Sequence, residues 1–513
     1  MAWSVNSLTR AGKTSIGFGH SLFLRFQSAS AANLGTTTAI TGLRRFTMID
    51  CTPARGANES IHRPSSPGIG FKTMIAICVG CVVVQGAMAS ALMGFGIGGL
   101  SFLAAMGLAL IFAFCNAISF SELSLMYPSS SGTLATYTQK AIGHFPAIVS
   151  VFAGYVVVAM FGLSAELILV DLLLQTLFPG VLPPYLVPLL LLIGLAVLNI
   201  LGTDVFARTQ NLFTFAMIVA ILLVGATALL DTPSASVAQV AAGIGWGQEG
   251  IFDGSFIALT ALAMWMFVGC EFICPLIKDI RQPERRVPRA MFASLLIIFV
   301  LFTLFCLGAG RYLSQETLTT SPLPYLDLVD GVFGQAGLII ATVMGLTATC
   351  STVNTVLASV PRMLSGMADN GQAFAVMGRM HSRFDTPWVG ILFLATIVAI
   401  PFLLVSPDHI IMLLIGASTS WLLAYIVAHI NVIVLRARKP DHARPYRTPF
   451  YPIPQIIGIL GMGYVAANAS PSPDMTATVY TLLGAVLGIV AVIALFWVKF
   501  RMKMGLFAPD LTD

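Results

Sequence analysis

Charged residues and histidines are scarce in this sequence. Of its 513 residues, 10% are Asp, Glu, Lys or Arg, 7 are His and 57% are hydrophobic, and the mean hydropathy is +0.89. Soluble globular domains carry about 25% charged residues, so the composition excludes that class. The sequence therefore predicts an all-α polytopic membrane protein.

The arrangements that mark most enzymes are also missing. The histidines are scattered, and no Ser-His-Asp set, metal-ligand spacing or phosphate-binding loop is recognisable. Apart from Cys51, the cysteines lie inside or at the ends of apolar runs, where cysteine behaves as a small buried apolar residue. We therefore expect no enzyme activity, metal site, cofactor or nucleic-acid partner.

Apolar runs of about 18 residues or more divide the chain into about twelve predicted spans. They lie near residues 72–94, 97–121, 145–176, 184–201, 209–230, 255–276, 290–312, 333–358, 387–405, 409–435, 453–469 and 475–498. If the N-terminus is placed in the cytoplasm, 26 of the 27 Lys and Arg residues lie on the cytoplasmic side and Arg311 alone lies on the opposite side. Cytoplasmic loops carry such an excess of positive charge, so we expect both termini to be cytoplasmic.

The spans also suggest a domain organisation. Residues 1–70 form a basic tail whose first 49 residues contain no acid and resemble an organellar transit peptide. We prefer the alternative that translation starts at Met48. We expect the protein in the plasma membrane rather than in an organellar membrane. The predicted regions beyond the tail are a ten-helix core over residues 71–435 (halves 71–230 and 255–435), a basic cytoplasmic loop at 436–452, two peripheral helices at 453–498 and a cytoplasmic tail at 499–513.

The first span carries a stretch at mid-depth with a polar amide, a glycine and small residues, Val83-Val84-Gln85-Gly86-Ala87-Met88-Ala89-Ser90. Such composition marks local unwinding that lines a cavity, although small residues also form helix-packing faces. A second stretch of this kind lies five spans later, at Val268-Gly269. Paired breaks in corresponding spans indicate an inverted-repeat transporter.

Two carboxylates lie at mid-depth, Glu166 in the third span and Glu271 in the sixth. A charge there costs about 2.5 to 3.5 kcal/mol on insertion scales, so each should face protein, water or ligand, or be protonated. With no buried Lys or Arg to pair with them, they suit a cationic amine or a proton relay. Ser351 and Asn354 in the eighth span offer polar groups for a substrate, although contacts between helices explain them equally well.

Several motifs together resemble those of the amino acid-polyamine-organocation permeases. They are the segment from Phe120 to Gly132, Leu198-Asn199 with Gly202, the sixth span with its exit from Asp279 to Pro288, Arg362 to Gly371, Thr386-Pro387, and Arg436 to Pro449. The resemblance implies a five-plus-five inverted-repeat core with two additional helices. It also implies a substrate held midway between the broken first and sixth spans.

The same resemblance implies which residues would contact a substrate. The carboxylate of an amino acid would lie against amides freed in the first span, and its ammonium would face carbonyls freed in the sixth. The candidate substrate contacts are Gln85, Gly86, Ala87, Met88, Trp265, Phe267, Val268, Gly269, Ser351 and Asn354, with Glu271 and Glu166 as proton-coupling or ammonium partners.

Three positions qualify this resemblance. Gln85-Gly86-Ala87 stands where the family usually has Gly-Ser-Gly, a departure that also suits a substrate without an α-carboxylate. Trp265 resembles an aromatic residue that closes over the substrate in one of the family's exchangers, and core packing explains it equally well. Met217 occupies the place where some proton-coupled relatives have a lysine, which excludes coupling through that residue.

We therefore predict a secondary active transporter of amino acids or related amines that works by alternating access, by proton coupling or by exchange. A polyamine or organic-amine transporter or exchanger is the alternative, and a membrane sensor that binds without transporting belongs to a different class. The predicted partners are a small-molecule substrate and the lipid bilayer. Either a monomer or a homodimer fits the sequence.

Overall fold

The structure is a computed structural model that describes residues 68–231, 256–468 and 473–510. The predicted N-terminal tail up to residue 67, including the Met48 start, and the last three residues of the C-terminal tail lie outside the described residues. Within the described part, the regular structure is helical apart from one isolated bridge between Ile69 and Ile280.

The helices are numbered here in chain order. They are α1 (Phe71–Val82), α2 (Gln85–Gly98), α3 (Leu100–Met126), α4 (Leu134–Ala141), α5 (His144–Leu177), α6 (Leu186–Ile200), α7 (Thr203–Leu230), α8 (Phe256–Met264), α9 (Cys270–Asp279), α10 (Pro283–Tyr312), α11 (Gln315–Thr320), α12 (Pro324–Phe333), α13 (Gly337–Asp369), α14 (Trp388–Leu404), α15 (Ile410–Arg438), α16 (Ile453–Ala467) and α17 (Pro473–Phe496). The α9 segment has 3-10 geometry, and α5 contains two π-helical stretches.

The longer helical segments are membrane-spanning in length and composition. Among the described residues, 8 helical segments are long and apolar enough to cross a bilayer, or 9 when α1 and α2 count as one bent span. Three further apolar helices, α6, α14 and α16, contain 15, 17 and 15 residues. The prediction of an all-α polytopic membrane protein is confirmed.

Two connecting regions differ from the sequence prediction. The segment from Pro361 to Asp385, which lies beyond the eighth predicted span, supplies the end of α13 and a single 3-10 turn at Ala375–Gly378. The first part of this segment, up to Asp369, therefore continues the helix of the eighth predicted membrane span. Between α10 and α13, the short helices α11 and α12 were not predicted, because 6 and 10 residues are too few to show a clear periodicity.

The first predicted span is broken, and its two halves, α1 and α2, are bent by 62°. The break lies at Val83 and Val84, whose backbones are extended, and Gly86 lies in the first turn of α2 rather than at the break. Branching at Cβ disfavours the helical conformation of valine, so this pair favours extended backbone. The sequence thus predicted the break within three residues and attributed it to the wrong residue type.

The sixth predicted span is also broken. After α8, one 3-10 turn covers Trp265–Phe267, Val268 is extended, and Gly269 has a φ of +117°. Glycine adopts that backbone conformation readily because it has no Cβ, whereas other residues are strained there. The predicted role of Gly269 as a helix-breaking residue therefore agrees with its backbone conformation.

The two breaks are held together by close packing of α1. This helix packs against α7, α10, α13 and α9. A Cβ added at Gly80 would lie 2.0 Å from the Ser351 Oγ, so α1 and α13 approach each other too closely for a larger residue. The α1 half of the first span is consequently fixed relative to α13.

A buried ion network ties the end of α3 to the basic loop after α15. The Glu122 carboxylate accepts hydrogen bonds from Arg436 Nε and Nη2 at 2.9 and 2.8 Å, and from the Thr448 backbone N–H at 2.7 Å. Arg444 Nε lies 3.4 Å from the same carboxylate. Because Glu122 is only 1% exposed, this carboxylate is screened little by water.

We predict that Glu122→Gln lowers the thermal stability of the purified protein. Two guanidinium groups would lose their counter-charge, and removing one partner of a buried ion pair costs about 3 to 5 kcal/mol. The melting temperature in detergent measures the effect. Glu316→Gln, an exposed position in the first turn of α11, is the control. Equal melting temperatures for the two variants would contradict the structural role of Glu122.

Candidate functional site

A small cavity of about 30 Å³ lies between the two breaks. Both broken spans contribute to its wall, and α5, α13 and α15 close the remaining sides. The lining includes Val84, Glu166, Trp265, Phe272, Thr352 and Trp421. A cavity of this size holds water but no amino acid or amine. A solute at the centre therefore requires neighbouring side chains to move.

Glu166 caps the N-terminus of α2. Its Oε2 accepts a hydrogen bond from the Gln85 backbone N–H at 3.1 Å, and its Oε1 accepts one from the Gly86 N–H at 2.8 Å. The first amides of a helix have no partner within the helix and carry partial positive charge, so a carboxylate is well placed there. These are the amides that the family resemblance assigned to a substrate carboxylate, and in this structure a side chain of the protein occupies them.

A chain of hydrogen bonds runs from α12 to this carboxylate. The Tyr325 hydroxyl donates to Gln85 Oε1, Gln85 Nε2 donates to Thr349 Oγ1 at 2.8 Å, and Thr349 Oγ1 donates to Glu166 Oε2 at 3.0 Å. All four side chains are buried. The side chain of Gln85, predicted to bind substrate, is thus engaged at both its oxygen and its nitrogen.

Glu271 is held by two donors from α15. Trp421 Nε1 donates to Glu271 Oε1 at 2.9 Å, and the Tyr425 hydroxyl donates to Oε2 at 2.7 Å. The same hydroxyl accepts the Gly269 N–H at 2.9 Å, the amide left free by the break. Tyr425 therefore connects the broken backbone of the sixth span to the nearby carboxylate.

Aromatic rings form one side of the cavity. Trp421 packs edge-on against Trp265 and Phe272, with ring centroids 6.2 and 5.5 Å apart. The Trp265 Nε1 atom is buried and has no hydrogen-bond partner among the described residues. Trp265 thus presents an unused donor beside the cavity, which a purely structural tryptophan would be expected to satisfy.

Ser351 and Asn354 lie elsewhere. Ser351 Oγ accepts from Gln210 Nε2 at 2.7 Å and lies 2.9 Å from Thr214 Oγ1, while Asn354 Nδ2 donates to Gln210 Oε1 at 2.9 Å. These bonds join α13 to α7 and do not reach the cavity. On the same helix Thr352 lines the cavity and donates to the Gly80 carbonyl at 2.7 Å.

The other predicted contacts belong to the walls around the breaks. Val268 lines the cavity. Ala87, Met88 and Phe267 are buried in the apolar core, with exposures of 0%, 0% and 1%. The structure thus brings Glu166, Trp265 and Val268 to one cavity. It places Glu271 behind Trp421, one of the cavity's lining residues.

A larger vestibule of about 480 Å³ lies on the side predicted to be outside. It is lined by Gly86, Leu169 and Leu414, and by residues of outer loops such as Ser321 and Asp408. Gly86 belongs to the vestibule wall and its hydrogen-bond partner Glu166 to the cavity wall. This contact therefore lies on the boundary between the vestibule and the centre.

A second, polar pocket of about 610 Å³ lies on the predicted cytoplasmic side. Charged groups line it, among them Lys278, Asp279, Arg362 and Asp385, together with Pro275 of α9. The central cavity thus has a larger pocket toward each side of the predicted membrane.

Among the residues of the site that the sequence reasoning missed are Phe272, Thr349, Tyr325, Trp421 and Tyr425. Trp421 and Tyr425 are four residues apart on one helix, and therefore share a face. Each needs a partner for its polar atom when buried, and a buried carboxylate needs donors. A buried carboxylate and two buried donors on one face of α15 could therefore have been paired from the sequence. No pattern in the sequence around Tyr325, on the short helix α12, predicts its hydrogen bond.

The chain is similar to known proteins over most of its length. A family model described as amino acid permease matches residues 69–496. The serine/threonine exchanger SteT of Bacillus subtilis (strain 168) is 24% identical over 394 residues, which are 73% of this chain and 84% of the exchanger.

Two further relatives match over shorter stretches. Cationic amino acid transporter 4 of Mus musculus is 31% identical over 204 residues, or 38% of this chain and 29% of that protein. The branched-chain amino acid permease BcaP of Bacillus subtilis (strain 168) is 25% identical over 249 residues, or 46% of this chain and 50% of that protein. The chain thus aligns with half or less of the length of these two proteins.

We predict that Tyr425→Phe destabilises the protein and Tyr155→Phe does not. The first change removes the acceptor of the Gly269 N–H and a donor to Glu271, and a buried group left without its partner costs about 1 to 3 kcal/mol. Tyr155 is equally buried at 0% exposure, yet its hydroxyl has no partner among the described residues. Melting temperatures of both variants measure the difference, and an equal or larger loss for Tyr155→Phe would refute this interpretation of the second break.

Proposed function

The chain belongs to the amino acid permease family, and we propose that it is a secondary active transporter that moves its substrate by alternating access between its two pockets. The observation that carries this proposal is the small central cavity between two mid-span breaks, with a larger pocket toward each side. Unwound segments at mid-depth are where such transporters bind substrates, because the free backbone groups there require polar partners.

The proposed architecture has twelve spans with both termini in the cytoplasm. Nine spans, when α1 and α2 are joined, and the three shorter apolar helices account for this number. The breaks fall in the first and sixth spans, which occupy equivalent positions in a five-plus-five inverted repeat. The distribution of Lys and Arg supports the orientation. The proposed location is the plasma membrane.

The proposed substrate is an amino acid or a related amine. The relatives are named for hydroxylated, cationic and branched-chain amino acids, which differ in their side chains and share an α-ammonium and an α-carboxylate group. The central cavity offers a carboxylate and aromatic faces, and both attract an ammonium group. The ammonium is therefore the part of the substrate that we assign to this cavity.

Glu271 is the proposed proton-coupling group. Its two oxygens accept hydrogen bonds from Trp421 and Tyr425, and Trp421 forms part of the cavity wall. A change in the charge of Glu271 would alter both bonds and therefore the position of the ring that faces the substrate. Through Tyr425 it would also reach the Gly269 amide at the break.

We expect the purified protein to bind and transport one of these compounds. A thermal-shift screen of amino acids and amines identifies the ligand, because a compound that binds the folded state raises its melting temperature. Uptake into proteoliposomes, with and without the same compound inside, then distinguishes exchange from net transport. A ligand that stabilises the protein without entering the liposomes would indicate a sensor and contradict the transporter assignment.

We predict that Glu271→Gln abolishes the dependence of uptake on a proton gradient. Glutamine keeps the size of the side chain and cannot take up or release a proton. Uptake of the identified substrate at inside-alkaline and symmetric pH measures the effect, with Glu316→Gln as the exposed control. Unchanged uptake with unchanged pH dependence would remove Glu271 from the mechanism.

A further inference from the structure

We propose that Glu166 is a built-in carboxylate that fills the anion position of α2, and that the site therefore selects amines that carry no carboxylate next to the amino group. These amines include diamines, guanidino amines and arylalkyl amines. This inference rests on the proposed transporter function and narrows its substrate class.

The anion position of the first break is already occupied. Two oxygens of one carboxylate accept the N–H groups of Gln85 and Gly86, and Thr349 donates a third hydrogen bond to it. The carboxylate of an amino acid could reach these amides only by displacing Glu166. If Glu166 stayed in place, the two carboxylates would lie side by side and repel each other.

The contact between Glu166 and Gly86 depends on the glycine. A Cβ at position 86 would lie 2.9 Å from Glu166 Oε1, and 3.3 Å from Leu414 on the other side. The backbone at this position is an ordinary helical one, so space rather than conformational freedom favours glycine here. Gly86 and Glu166 are therefore complementary to each other across two helices.

The charge that remains faces an aromatic cavity. Glu166 Oε1 accepts one hydrogen bond in the structure, so it has capacity for another from a ligand. Trp265, Phe272 and Trp421 surround the same space, and the described lining contains no Lys, Arg or His. A carboxylate beside aromatic faces is the chemistry that binds an ammonium or guanidinium group.

The vestibule on the predicted outer side also contains a carboxylate. Asp408 is the ionisable residue among the described residues that line the outer vestibule, and the vestibule leads to Gly86 at the boundary with the cavity. A negative charge in an enclosed entrance raises the local concentration of cations. A cationic amine would thus meet Asp408 first and Glu166 at the inner end.

Matched pairs of compounds test this inference without any mutation. The purified wild-type protein is titrated with putrescine and ornithine, cadaverine and lysine, agmatine and arginine, and tyramine and tyrosine, with melting temperature and proteoliposome uptake as readouts. In the pair that binds, we expect the amine to bind about tenfold or more tightly than its amino acid, which must displace a buried charge-assisted contact.

The variant Glu166→Gln tests the residue itself. It keeps the size of the side chain and removes the charge, so the affinity for the amine should fall about tenfold or more and the preference over the amino acid should disappear. Asp171→Asn is the matched control, because Asp171 lies five residues further along α5, outside the cavity, and accepts the Tyr185 N–H. We expect this control to keep the wild-type preference.

The outcomes separate the inference from the proposed function. Binding and uptake of amino acids at affinities equal to or above those of their amines would overturn the inference and leave the transporter assignment intact. A preference for amines that survives in Glu166→Gln would also overturn it, because another group would then be responsible. If neither member of any pair, nor any other compound of the screen, binds or enters the liposomes, the proposed function fails as well. Should Glu166→Gln not fold, the wild-type pairs decide alone.

Discussion

The constraint on which the structure depends is the need of every backbone polar group inside a bilayer to have a partner. Two spans of this protein give up helical hydrogen bonds at mid-depth, and side chains from other helices replace them. Glu166 accepts the first amides of α2, Thr352 donates to the Gly80 carbonyl near the end of α1, and Tyr425 accepts the Gly269 amide. Each break exists only because another helix satisfies it.

These replacements also connect the parts of the protein that alternating access must move. The first break is joined to α5, α13 and α12 through the chain of hydrogen bonds that runs from Glu166 through Thr349 and Gln85 to Tyr325. The second is joined to α15 through Tyr425 and Trp421. A substrate that competes for any of these groups alters contacts between helices that lie far apart in sequence. The Glu166 carboxylate beside the cavity is thereby connected to helix α12 by hydrogen bonds that have defined donors and acceptors.

Much of the architecture was predictable because its causes are local. The apolar runs that indicated the spans are long enough to recognise without any contact, and α6, α14 and α16 begin and end within two residues of the predicted limits. Gly269 was predicted correctly as a breaking residue because its backbone needs glycine. The break in the first span was misplaced by about three residues, since Val83 and Val84 are extended and glycine at 86 serves a contact instead.

The sequence by itself determined the class of the protein, the approximate limits of its spans and the presence of two costly carboxylates at mid-depth. These follow from composition, run length and charge, which are properties of single segments. The tertiary structure alone decided which groups face each other: that Glu166 lies on the amides of α2, that Trp421 and Tyr425 hold Glu271, and that Ser351 and Asn354 point toward α7. The physical reason is that a hydrogen bond between distant segments depends on helix rotation and depth, and neither is encoded in the spacing of residues along one segment.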